Sequence, residues 1–161
     1  MEDDVLDKYD VGILKALQNR GDMGPMEMSH TVHLSPSQCS RRMQALRKAG
    51  YIKSVRAVID PRKVSVGLEA YVLVTMKSHS SDAAESFRER LLHLDEVVEC
   101  QKLTGASDMI IKVATRDLET FNQLLTQELL GSPEVASAQS SIILEEIKAN
   151  SSVTLKYLAK I

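Results

Sequence analysis

Tryptophan is absent from the chain, aromatic residues make up 4% of it, and only two cysteines occur among its 161 residues. With so few rings, the core has to be aliphatic and methionine-filled. A base-stacking surface for single-stranded RNA also lacks material: DMIIKVAT carries no aromatic residue, and Tyr71 alone is insufficient. Cys39 and Cys100 supply neither a metal-ligand spacing nor a disulfide framework. No apolar run approaches the roughly 20 residues of a membrane span. The acidic start MEDDVLDKYD lacks the basic and apolar regions of a secretory signal. A soluble cytoplasmic protein with no membrane partner is expected. No phosphate loop or nucleotide fingerprint occurs, and His30, His33, His79 and His93 form no ligand or triad arrangement. No metal, cofactor or catalytic residue is therefore assigned.

What is present is ordinary in amount and unusual in arrangement. Hydrophobic content of 43% and charged content of 26% describe a globular chain, long enough for one domain or two small ones. The net charge is −2, yet residues 37–63 hold Arg41, Arg42, Arg47, Lys48, Lys53, Arg56, Arg62 and Lys63 against Asp60 alone. The remainder is correspondingly acidic. Such segregation fits either one electropositive surface for a polyanion or a merely solvated charged face, and charge alone does not choose between them.

Hydrophobic spacing predicts a helix over 7–22 with Ile13, Leu14 and Leu17 on one face, and a short one from Pro25 to Val32. After His33-Leu34, Ser35 can cap a third helix with Pro36 at its first position. Cys39, Met43 and Leu46 form its apolar stripe, and Gly50 ends it. Helix, short turn and capped helix with a polar outer face match a helix-turn-helix. YIKSVRAVID then has strand composition, stopping at Asp60-Pro61. From there the order is a strand over 69–77, a helix over 81–94 (Phe87, Leu91, Leu94 aligned) and strands in VVECQKLTG and DMIIKVAT. A helix over 116–131, with Leu118, Phe121, Leu125 and Leu129 inward, and a strand over 135–148 complete it. This βαββαβ order predicts an α+β fold: residues 1–60 a helix-turn-helix DNA-binding domain with a linker strand, residues 61–161 a ferredoxin-like sandwich. Tyr71-Val72-Leu73-Val74 and Met109-Ile110-Ile111 are apolar at consecutive positions, so the sheet face without helices also needs cover. A second copy of the sheet supplies it most simply, giving at least a homodimer.

Taken in order, LDKYDVGILKALQ, LSPSQCSRRMQALRKAGYIK, VIDPRKVS, LTGASDMIIKV and SSIILEEIK resemble the Lrp/AsnC family of transcription regulators, over nearly the whole chain. The resemblance implies a winged helix-turn-helix, followed by a ferredoxin-like domain that oligomerises, to dimers and then octamers, and senses an amino acid. The chain departs from the pattern at His33, where the family carries Gly. It departs again at Ala138 and Ser140, where the last strand carries two threonines, and at Ser29, His30 and Thr31, where the second helix is usually basic.

In a helix-turn-helix the second helix enters the major groove of double-stranded DNA. Ser37, Gln38 and Arg41 stand nearest the base edges, where Gln pairs with adenine and Arg with guanine. Arg42, Arg47, Lys48, Lys53 and Arg56 are assigned to phosphates, and Ser35 and Gln44 complete the contact set. For Arg42 and Arg47 the alternative is intramolecular ion pairing. Cys39, on the apolar stripe, reads as a buried structural thiol. The turn Thr104-Gly105-Ala106-Ser107-Asp108 offers backbone N–H groups for a carboxylate and Asp108 for an ammonium. On chemistry alone an ordinary hairpin, with Asp108 satisfying turn backbone, is favoured. The resemblance reverses this and makes the turn the effector site, between dimers, with Ser137, Ser140 or Ser141 completing it. A sequence-specific regulator tuned by an amino acid is the resulting expectation. The competing one is a tetrapyrrole-processing enzyme similar to the sirohaem decarboxylases, which share the architecture.

Overall fold

The computed structural model describes residues 6–78, 81–148 and 152–158; His79 lies outside them. The chain forms two compact units, Met1–Val58 with Lys148–Ile161, and Ile59–Ile147. By contact, the C-terminal segment thus groups with the first unit, whereas the sequence division runs straight from 61 to 161.

In the first unit, α1 (Lys8–Asn19), α2 (Pro25–Val32) and α3 (Pro36–Lys48) surround a small aliphatic core. Ile13, Met28 and Cys39 are fully buried, with Leu14, Ala16, Val32, Met43 and Leu46 close behind. Burying each large aliphatic side chain here contributes on the order of 2 kcal/mol before entropy is counted. Leu155 of the C-terminal segment packs on the same core. Each helix begins on a device written in the sequence. Asp7 accepts the N–H groups of Tyr9 and Asp10, and the Asp10 carboxylate accepts the Asp7 N–H in return. Pro25 and Pro36 occupy first turns. Helix α2 ends on His33 in the left-handed region (φ 57°, ψ 45°), so this imidazole residue fills the glycine position. Helix α3 ends on Gly50 (φ 81°), with the Gly50 N–H donating to the Arg47 carbonyl and the Tyr51 N–H to that of Leu46.

Residues 51–60 form no strand among the described residues, contrary to their composition. Val55, Val58 and Ile59 are exposed, Val58 almost fully. A β-rich segment with no adjacent ladder to join stays extended and unpaired.

In the second unit, a turn of 3₁₀ helix (Pro61–Val64) precedes β1 (Leu68–Met76), α4 (Ser81–Leu92), β2 (Val97–Lys102), β3 (Met109–Thr115), α5 (Leu118–Gln123) and β4 (Val135–Ile142). The sheet is antiparallel in the order β2-β3-β1-β4. Ala70, Val72, Val74, Met76, Ile111 and Val113 point to one face, where Phe87, Leu91, Phe121, Leu124 and Leu129 of the helices cover them. On the other face Tyr71, Leu73, Ile110 and Ala114 remain partly exposed, and Lys112 pairs with Glu69 at 2.8 Å.

Two expectations are corrected. Leu118, at the start of α5, is 61% exposed rather than inward. Beyond α5, residues Leu124–Leu129 wind as π-helix, which adds Leu124 to the buried positions while Phe121 and Leu129 stay inward and Leu125 packs partly buried on the core. The last strand stops at Ile142 rather than 148. Its neighbour β1 offers Ala70 as partner to Ile142 and the Glu69 carbonyl to the Ile143 N–H, after which the ladder runs out.

Candidate functional site

Helix α3 is held at its start by a reciprocal pair. The Ser35 Oγ accepts the Gln38 N–H at 3.3 Å, and the Gln38 Oε1 accepts the Ser35 N–H at 3.0 Å. Ser35-x-x-Gln38 is a capping box legible in the sequence, which assigns Ser35 the cap and Gln38 only a base. In the structure the Gln38 side-chain oxygen serves the helix start, while the residue stays exposed.

Opposite the buried Cys39-Met43-Leu46 face, Ser37, Arg41, Gln44 and Lys48 recur at helical spacing and are all exposed. Four of the assigned residues thus form one outer stripe. Arg47 is exposed beside it in the last turn, and Lys53 and Arg56 are exposed on the extended segment that follows. No carboxylate pairs with Arg47 among the described residues.

Arg42 is different. Its Nη1 lies 2.7 Å from Asp10 Oδ1 and its Nη2 2.8 Å from Asp7 Oδ2, with its side chain 27% exposed. Its guanidinium also stands 5.6 Å from the centroid of the Tyr9 ring. The intramolecular pairing, open in the sequence, is the one formed. It raises the Arg42 pKa, first through the bond to Asp10, against an opposing effect of burial. Burial pushes the Asp7 carboxyl up, but the Asp10 and Tyr9 N–H groups and Arg42 outweigh it and hold that carboxyl below its ordinary value. Asp7 and Asp10 escaped sequence assignment, although an Asp-x-x-Asp spacing at a helix start was the signal available. Cys39 is fully buried, and burial pushes its thiol up despite the counteracting charge of Arg42.

In the second unit, Thr104, Gly105, Ala106, Ser107 and Asp108 form the turn between β2 and β3. Thr104, Gly105 and Ala106 are exposed, and Gly105 sits at φ 123° with open space around its Cα. Asp108 is built into the sheet. Its N–H donates to the Val74 carbonyl, its own carbonyl accepts the Leu103 N–H, and its Oδ2 accepts the Met76 N–H at 2.7 Å. That last bond falls where the β1–β4 register shifts, between Thr75 and Met76. Ser137 stands opposite Thr75 and Ser140 opposite Val72, so the two serines leave β4 on opposite faces. Ser137 and Ser141 share the open face, while Ser140 and the half-buried Ala138 share the helix side. Among the described residues no group of side chains could hold a metal ion. No helix among them is long and apolar enough to cross a membrane.

Comparison with known proteins matches residues 69–153 to the Lrp/AsnC ligand binding domain and residues 6–53 to a winged helix-turn-helix DNA-binding domain. The leucine-responsive regulatory proteins of Escherichia coli K12 and Salmonella typhimurium are each 30% identical over 151 residues, 94% of this chain and 92% of theirs. A transcriptional regulator of Neisseria meningitidis, solved as its L-Met complex, superposes with a TM-score of 0.91 at 36% identity, over 96% of this chain and 99% of that one. An AsnC family regulator from Agrobacterium tumefaciens gives 0.88 at 27%, over 96% and 100%.

Proposed function

Because this chain belongs to the Lrp/AsnC family of DNA-binding transcriptional regulators, we propose that the outer stripe of α3 enters the major groove, with Ser37, Gln38 and Arg41 at the base edges and Lys48 at a phosphate, and that an amino acid tunes the outcome. The stripe itself carries this reading: four exposed polar or cationic residues at helical spacing, directly behind a buried apolar face, on a helix capped at both ends. A major groove admits one helix, and the outer stripe is what such a helix presents. Arg47, Lys53 and Arg56 lie to its side and beyond it, where phosphates run. Arg42 is reassigned from phosphate contact to holding α3 against the start of α1.

The effector is placed at the Thr104–Asp108 turn. Exposed backbone around Gly105 suits a carboxylate, and Ser137 is the serine of β4 on the open face beside that end of the sheet. Support for an amino acid comes from the L-Met complex of the Neisseria regulator. The half-covered face bearing Tyr71, Leu73 and Ile110 is assigned to a second copy, with dimers assembling further to an octamer. A footprint of the purified protein on the DNA upstream of its own gene, with and without the twenty amino acids, tests the groove placement and the response to an amino acid. Regularly spaced protection that shifts with the pool is expected. Absence of protection at low salt would overturn the groove placement, and protection indifferent to every amino acid would overturn the effector.

A further inference from the structure

On the helix-covered face of the second unit, packing is uneven. Strands β1 and β3 send Val72, Val74, Ile111 and Val113 into the core, all fully buried. The edge strand β2 sends Cys100 and Lys102 to the same face, opposite Ile111 and Met109. A small thiol and a long cation fill the space less well than branched aliphatics do. Across from them, α4 turns Phe87 toward the sheet centre and leaves Ala84 and Arg88 at the edge. The result is a groove of about 470 Å³ between α4 and β2, with Leu91, Val97 and Met109 along it. That volume lies within the range of small-molecule sites, as does a mostly apolar lining with a few polar groups at the rim.

The rim charges select the ligand. Arg88 and Lys102 stand on it with one carboxylate, Glu85, and Glu85 is engaged by Arg88 through both oxygens at 3.3 Å. Among the described residues no carboxylate pairs with Lys102. The rim therefore carries one positive charge in excess, and its single carboxylate is already paired with Arg88, so the net field at the rim favours an anion over an ammonium. We infer that the groove binds an aliphatic monocarboxylate, its chain along Leu91, Val97 and Met109 and its carboxylate at Lys102 and Arg88. The site lies on the helix side of the sheet and takes a ligand without an amino group. It is thus separate in chemistry from the amino-acid reading of the turn, and stands or falls independently of it.

Cys100 lines the groove and is solvent-accessible, whereas Cys39 is fully buried. The rate at which Cys100 reacts with an aromatic disulfide reagent in the native full-length protein therefore reports occupancy directly. Cys100→Ser, by silencing the reaction, confirms which thiol is read. Octanoate is expected to slow the reaction saturably, by about tenfold when its concentration is ten times its Kd. Octylamine and octanol, with the same chain and a different head, should leave the rate unchanged. Lys102→Glu should react at its own steady rate whether or not octanoate is present, with an unchanged far-UV spectrum. No protection by octanoate, or equal protection by octylamine, would overturn the site. Equal protection by leucine would overturn the monocarboxylate assignment, by showing that an ammonium is accepted there.

Discussion

Arg42 and Asp10 are 32 residues apart in sequence, and their side chains meet at 2.7 Å. Asp7 closes the same guanidinium from its other nitrogen. The two carboxylates that cap α1 therefore also fix the roll of α3, and with it the direction in which Arg41 and Lys48 project. Arg42→Ala should destabilise the first unit by about 1–2 kcal/mol, since it strips a charge-assisted partner from a carboxylate that is largely shielded. Urea denaturation of the two proteins measures this. Asp7→Asn adds a pH test. The Asp7 pKa is depressed in the fold, so its contribution is present above the unfolded value, about 3.9, and disappears as pH falls through the folded one. The gap between parent and Asp7→Asn should thus be open at pH 7 and closed in strong acid.

Gln38→Glu separates the cap from the groove. Glutamate at this position keeps an acceptor for the Ser35 N–H, so melting should be unaffected. It replaces an amide donor with an anion facing DNA, and specific affinity should drop by about 1–3 kcal/mol or more. Equal affinity in a mobility-shift titration would mean that Gln38 serves the helix alone.

Arg41→Ala and Lys48→Ala distinguish reading from anchoring along one stripe. Loss of Arg41 should cost about 1–3 kcal/mol on the specific site and relax one base position. Loss of Lys48 should weaken all sequences alike and lower the salt slope by about one. Titrations at several salt concentrations, on specific and random duplexes, give both numbers.

His33→Gly should stabilise the first unit slightly, by about 0.5 kcal/mol, because φ 57° costs a side-chain-bearing residue what glycine does not incur. His33→Val at the same position should lower stability by about 1 kcal/mol or more. Thermal melts of the three proteins rank them.

Much of the fold could be read ahead because local rules and tertiary demands agree. Ser35-Pro36 marks a helix start, Gly50 a helix stop, and Cys39-Met43-Leu46 a buried face; all three hold in the structure. The failures occur where structure depends on something non-local. VRAVID has strand propensity, but propensity supplies no neighbour to bond with. Residues 124–129 wind with extra residues per turn, which brings Leu124 into the core beside the expected Leu125, and a regular helical count does not anticipate that. Ser137 and Ser140, three apart in one strand, must face opposite ways, but only the pairing with β1 shows that Ser137 is the one on the open face. Arg42 and Arg41 are adjacent cations whose different fates depend on carboxylates in another helix.

The bond from the Met76 N–H to Asp108 has a bearing on signalling. On the proposed placement, an effector ammonium draws on the same carboxylate that holds β1 at its change of register against β4. Ligand and sheet alignment are then thermodynamically linked: a ligand that favours one pairing of these strands is favoured by it in return. Occupancy at the turn becomes a mechanical load on β1, whose far side carries Leu73 and Tyr71 to the face assigned to the second copy. One hydrogen bond would thus act as the gear between sensing and assembly.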